Sequence, residues 1–241
     1  ASSASSASER DDVALLVSRT TTPANGTNDR RKTSVIATSN LRRAAQTVAL
    51  AFRSRLERDP SEKLVVLSSL QEISTNVDTL SLTPPLRAPL LPDVPAHLAA
   101  ASRFDVAANS GNKRLRGNGL QRMQAFAEWA FKRDEDLIIV GGHSLFFRSF
   151  FREFLPKDAN PFDARDVKIR NGGVVAITLE RGTVVEGPDA ATPHNGGVAT
   201  TSGGAGGGVI QYRIDPDSIS ELHLGFEVLK KKKKTNSKKH A

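Results

Sequence analysis

Three short aliphatic runs, VIAT at 35–38, KLVVL at 63–67 and LIIV at 137–140, constrain the fold more than any other feature. They are apolar without a polar residue at every second place, as in strands of a parallel sheet that is covered on both faces. The segments between them have helical period. In LRRAAQTVALAFRSRL, residues Leu41, Ala45, Val48, Phe52 and Leu56 share a face, and Ser39 stands where an N-cap is expected. In LQRMQAFAEWAF the face is Met123, Phe126, Ala127 and Ala130, and LFFRSFFREFL (145–155) is aromatic nearly all round, which predicts a buried helix. Strands alternating with helices predict an α/β protein, a three-layer sandwich on a mostly parallel sheet.

The rest of the chain sets boundaries. Residues 1–12 have the composition of a disordered start, VALLV at 13–17 reads as a buried strand, and a single domain is expected over 13–229. Low-complexity insertions are expected near 18–34 and 187–208, and five prolines between Pro84 and Pro95 require an extended loop. GGVVAITLERGTVVEG predicts a hairpin turning at Arg181-Gly182, with VIQYRI resuming the sheet after the second insertion.

Charge and cysteine usage bound the function. The net charge is +8, but residues 230–241 hold seven lysines and no acid, which leaves about +1 for everything before them. The high isoelectric point thus belongs to a lysine tail, a nuclear address or an anionic-surface contact in composition, and as readily a merely solvated one; nucleic acid is expected as a partner only through Lys230 to Lys239. No apolar run is long enough to span a bilayer, and a soluble cytoplasmic protein is the expectation. With no cysteine, catalysis falls to His, carboxylates, hydroxyls or Lys. His97, His194 and His223 are expected in loops with no metal spacing between them; neither a metal nor another cofactor is expected.

Two segments have the chemistry of an anion site. SNLRRAAQT places Arg42 and Arg43 in the first turn of a helix, where the macrodipole disfavours cations and an anionic ligand would relieve the conflict. On this segment alone, solvated surface charges explain the arginines as well. In LIIVGGHS a strand ends, the two glycines are expected to let the backbone turn tightly, and His143 stands ahead of a helix whose amides point back at it; taken alone, His143 suits a structural role equally. Ligands of open α/β sheets bind at the carboxyl ends of strands, where both segments lie. Glu72 and Asp78 follow a strand end; Glu72 is the stronger candidate for an acid whose pKa is raised by desolvation. NSGNKRLRGNG (109–119) reads as a solvated basic loop, with a second reading as a cover over substrate.

In order, SNLRRAAQT, LQEI, VGGHS and RNGGVVAITLE resemble the Ser-x-Leu-x-Arg-Ala-x-x-Thr, Leu-x-Glu, second-histidine and Asn-Gly strand segments of the histidine phosphatase superfamily, which includes phosphoglycerate mutases. The resemblance covers about residues 35–180. It implies a phosphoglycerate mutase-like fold, a phosphorylated substrate and no cofactor. It assigns Arg43 to the phosphate pocket with Ser39, His143 to the second pocket histidine, Glu72 to the proton donor and Ser144 to the pocket rim. Members of the superfamily also carry an Arg-His-Gly whose histidine accepts the phosphoryl group, and this tripeptide does not occur here. The expectation is a phosphomonoester hydrolase or phosphomutase whose chain, as given, has lost the N-terminal part of its domain and with it the nucleophile. The alternative is a pseudophosphatase that binds a phospholigand or serves as an interaction module.

Overall fold

The computed structural model describes residues 20–21, 32–157, 164–184 and 209–227. The expectations for 1–12, VALLV, 187–208 and the lysine tail lie outside them.

Four parallel strands form the centre in the order β4 (Phe104–Asp105), β3 (Leu64–Leu67), β2 (Lys32–Ser39), β5 (Leu137–Gly141). A two-residue strand, β1 (Thr20–Thr21), runs antiparallel beside the start of β2. The register puts Ile36 opposite Ile139 and Ala37 opposite both Val140 and Val65. The strand around VIAT is longer than the apolar run, and its first residues, Lys32 to Ser34, fall inside the expected insertion.

Period-two geometry sends alternate β2 residues to opposite faces. Val35 and Ala37 pack with α4 (Gly119–Ala130) and α5 (Ser144–Phe154) through Met123, Phe126, Phe146 and Phe150. Ile36 packs on the other face with α1 (Arg42–Ala51), α2 (Arg53–Arg58) and α3 (Ala96–Ala99) through Val48, Leu56 and Leu98. Helices cover both faces of a mostly parallel sheet. The aromatic helix α5 is buried as expected: Phe146 and Phe126 meet edge to face at 6.2 Å, and Phe150 and Phe154 lie 4.5 Å apart.

Four details differ from expectation. The segment 41–56 is two helices, because Phe52 leaves the helical conformation at ψ 20°. The cap of α1 is Leu41, not Ser39, whose Oγ instead accepts from Leu41 N at 3.2 Å, ahead of the amides a cap would take. Arg181-Gly182 is no turn: β7 (Leu179–Val184) runs straight through it, with Gly182 opposite Gln211 of β8 (Val209–Ile214). VIQYRI therefore pairs with β7 in a separate ribbon, while β6 (Val174–Ala176) pairs with β9 (Ser220–His223). Finally, His97 and His223 sit on α3 and β9, not in loops.

The strand β5 pairs with β2 alone among the described residues. Its five residues are all half-buried, whereas those of β3 are all buried. An aliphatic strand whose second edge is unpaired among the described residues leads through Gly142 to His143.

Candidate functional site

The carboxyl ends of β2, β3 and β5 deliver the three segments singled out from sequence to one place. From β2 the chain enters Asn40, which is wholly buried and pins the entry to α1. Its Nδ2 donates to Ser68 Oγ at 3.1 Å, Asn109 Oδ1 at 3.0 Å and the Gly111 carbonyl at 2.9 Å. Its carbonyl accepts from Ser81 Oγ at 2.7 Å and Thr83 Oγ1 at 3.1 Å. Arg43 follows with its side chain exposed, donating to the Asp78 carbonyl at 3.3 Å. Ser39 is buried and spent on the local Leu41 turn; Ser144, the first residue of α5, is half-buried. The Asp78 side chain is exposed.

From β5 the chain passes Gly141 and Gly142 to His143. Neither glycine has a positive φ, so the tight-turn role expected of them is not the one they play. They are needed for space. A Cβ on Gly141 would stand 1.9 Å from Val48 Cγ2, and one on Gly142 would stand 2.9 Å from the Phe147 ring. The bare backbone at Gly141 lets α1 close against the end of β5, and Val48 lies little more than one helical turn from Arg43.

His143 is 5% exposed, and its Nε2 is buried without a hydrogen-bond partner. Burial, with the Arg43 and Arg122 guanidiniums adding to it, pushes the imidazole down to about 3, so it is neutral at pH 7. Glu72 completes the group. Its Oε1 accepts from Phe146 N at 3.0 Å and from Ile73 N at 3.1 Å. His143 is the N-cap residue of α5 but makes no capping bond with its side chain; the Glu72 carboxylate caps the helix from 74 residues away. That carboxylate takes an amide expected to face a ligand. Burial holds the Glu72 carboxyl above the usual carboxylate range, opposed by the Phe146 and Ile73 amides and by Arg43.

Two further cations stand here: Arg122, not singled out from sequence, and Lys113, from the basic loop 109–119. Arg122 of α4 donates to the Gln71 carbonyl at 2.6 Å and the Ser69 carbonyl at 3.4 Å, and its Nε is buried without a partner. Burial lowers its pKa, and Glu72 opposes that. Lys113, 8% exposed, is held by its own backbone N–H, which donates to Gln71 Oε1 at 2.7 Å, and by a bond from Nζ to the Ser74 carbonyl. Burial first, then Arg122, lowers its pKa. The loop 109–119 is therefore not simply a solvated one: its Asn109 and Lys113 are buried at the site, while Arg114 and Arg116 are exposed. Among the described residues no cluster of His, Asp and Glu suits a metal ion, and no helix is long and apolar enough to cross a membrane.

A neutral imidazole and two guanidiniums around one carboxylate can hold a tetrahedral oxyanion, with the carboxyl as a proton source. Because Nε2 is enclosed, an oxyanion reaches it only after a covering side chain yields. Compared with protein-family models, with curated proteins and with solved structures, the chain matches none.

Proposed function

We propose that this pocket binds the phosphoryl group of a phosphorylated ligand, in a phosphoryl-transfer protein of the histidine phosphatase type, a phosphomonoester hydrolase or phosphomutase. The observation that carries the reading is the convergence of Arg43, His143 and Glu72 at the start of α5, with the Arg43 and Arg122 guanidiniums both acting on His143. Arg43 and Arg122 supply the charge that stabilises equatorial oxygens, His143 supplies a neutral ring nitrogen, and Glu72, its pKa raised, protonates the departing alcohol. Ser144 lies at the rim.

Transfer through a covalent intermediate needs a nucleophile in line with the leaving oxygen. Among the described residues His143 is the one imidazole at this site; His97, on α3, is bonded to Glu57 of α2, and His223 is exposed on β9. That a single imidazole stands here among the described residues favours an alternative reading, a phospholigand-binding module without turnover. Incubation of the chain with para-nitrophenyl phosphate and a set of sugar phosphates decides between them. The expectation is turnover far below the ordinary ~10 per second and no acid-labile phosphohistidine. Robust turnover with a phosphohistidine on this chain would overturn the assignment of His143 as an assisting residue.

A further inference from the structure

The proline-rich loop between Ser81 and Pro95 supplies no side chain to the phosphoryl pocket, yet it presents three leucines to solvent: Leu82 is 92% exposed, Leu90 84% and Leu86 63%. Pro84, Pro85 and Pro92 are exposed with them. Arg87 is the one charged residue from Leu82 to Pro92; Asp78 and Asp93 lie outside that stretch, and Asp93 accepts from Gln46 Nε2 at 2.9 Å. One exposed leucine on a surface is ordinary, but three on a single loop mark a place of interaction.

This loop is braced. Asn109 Nδ2 donates to the Pro84 carbonyl at 3.0 Å and the Arg87 carbonyl at 2.9 Å, and the Asn109 backbone carbonyl accepts from Leu86 N at 2.8 Å. Asn112 Nδ2 donates to the Ser81 carbonyl at 2.8 Å. Within that frame Leu86 is held at a φ of 57°, where glycine rests easily and a branched side chain is strained. A leucine both strained and exposed adds little to the stability of the fold, so the use of its side chain lies outside the chain.

The lysine-rich segment says what kind of surface that is. Residues 230–239 hold seven lysines and no acid. Such a segment is attracted to the negative charge of an anionic leaflet, a match that needs no fixed conformation. An apolar anchor or a basic segment alone binds a bilayer surface marginally, and the two together bind it stably. A groove on a protein would suit the leucines but would leave the lysines unexplained.

We propose that this chain docks on anionic membrane surfaces. Leu82, Leu86 and Leu90 enter the boundary between headgroups and acyl chains, Arg87 meets the lipid phosphates, and the lysines of 230–239 face the charge of the leaflet. The protein lies on the bilayer, and no helix among the described residues crosses it.

The test is co-sedimentation of the full chain with phosphatidylcholine vesicles, with and without phosphatidylserine. Partitioning should be at least ten-fold stronger with phosphatidylserine. It should fall at least ten-fold in a variant combining Leu82→Ser, Leu86→Gly and Leu90→Ser, and as far when the seven lysines are replaced by glutamine. The leucine variant keeps its fold, because two of its changes are at exposed side chains and the third relieves a strained φ. The sequence has no cysteine, so Leu90→Cys takes a single polarity-sensitive fluorophore, whose emission should shift to the blue on the phosphatidylserine vesicles. Binding that the leucine variant retains, with no blue shift, would overturn the loop as an anchor and leave only the attraction of the lysines. No binding to either vesicle would overturn the proposal, and self-association that the leucine variant abolishes would then assign the loop to a second copy of the chain.

Discussion

Glu72 Oε1 accepts a hydrogen bond from the amide of Phe146 at 3.0 Å, joining the loop after β3 to the first turn of α5. The same carboxylate stands among the cations of the candidate site, so one residue is both the cap of a helix and the acid of a pocket. Replacing it separates the two roles. Glu72→Ala should cost about 1–2 kcal/mol in urea unfolding, the scale of a lost helix cap. Glu72→Gln keeps an acceptor for Phe146 and should cost clearly less, while removing the ionisable group. Equal losses in the two variants would mean that the cap is not what Glu72 contributes to stability.

Space at Gly141 is a second point of leverage. The Cβ of Gly141→Ala would meet Val48 Cγ2, and Val48 is buried and stiff at χ1, so α1 must move away from β5. The expected loss is about 1–3 kcal/mol, typical of overpacking. Because Arg43 rides on α1, phosphate affinity should fall as well. Unchanged stability by urea titration would show that α1 does not depend on a bare backbone there.

The pH dependence follows from His143. Its folded value of about 3 lies below its ordinary 6.5, so between these limits the unfolded chain binds a proton that the folded chain does not. The stability from this group is complete above pH 6.5 and is lost as pH falls towards 3, at no more than about 1.4 kcal/mol per unit. Glu72 acts in the opposite sense. Its folded pKa is raised, so its contribution is greatest at low pH and is lost as pH rises through that raised value. His143→Gln should flatten the acid limb of a stability–pH curve between 6.5 and 3, leaving the Glu72 part. An NMR titration of His143 with a midpoint near 6.5 would contradict the enclosure described here.

Away from the site, Arg55 and Glu62 form a buried ion pair in which Arg55 Nε donates to Glu62 Oε2 at 2.9 Å and Nη1 donates to Ser34 Oγ at 3.0 Å. Glu62→Gln or Arg55→Met alone leaves one buried charge without its counterion and should cost about 3–5 kcal/mol. The double replacement Arg55→Met with Glu62→Leu should recover most of that. A double variant as unstable as either single one would mean that the ionic pair itself is required.

The layered fold was legible in sequence because unbroken aliphatic runs and helical periodicity are local signals, and Arg43, His143 and Glu72 stood at strand ends. What was not legible depended on distant partners. Arg122 looked like the polar side of α4, since its partners, the Ser69 and Gln71 carbonyls, come from a loop about fifty residues earlier. Asn40 is a buried hub whose five bonds reach three separate segments, and Lys113 belongs to a loop with the composition of a solvated one. The supposed hairpin failed because alternation marks a strand without naming its partner: β7 pairs with β8, not with β6. The glycines before His143 were assigned to the wrong cause for the same reason, since Val48 lies far away in sequence.

The claim at the centre is that Arg43 and His143 form one oxyanion site. Calorimetric titration with orthovanadate, comparing the unaltered chain with Arg43→Ala and His143→Ala, tests it most directly. The expected result is saturable one-to-one binding that each substitution weakens at least ten-fold, with both variants still folded by circular dichroism. Binding that survives both substitutions, or none by the unaltered chain, would contradict it.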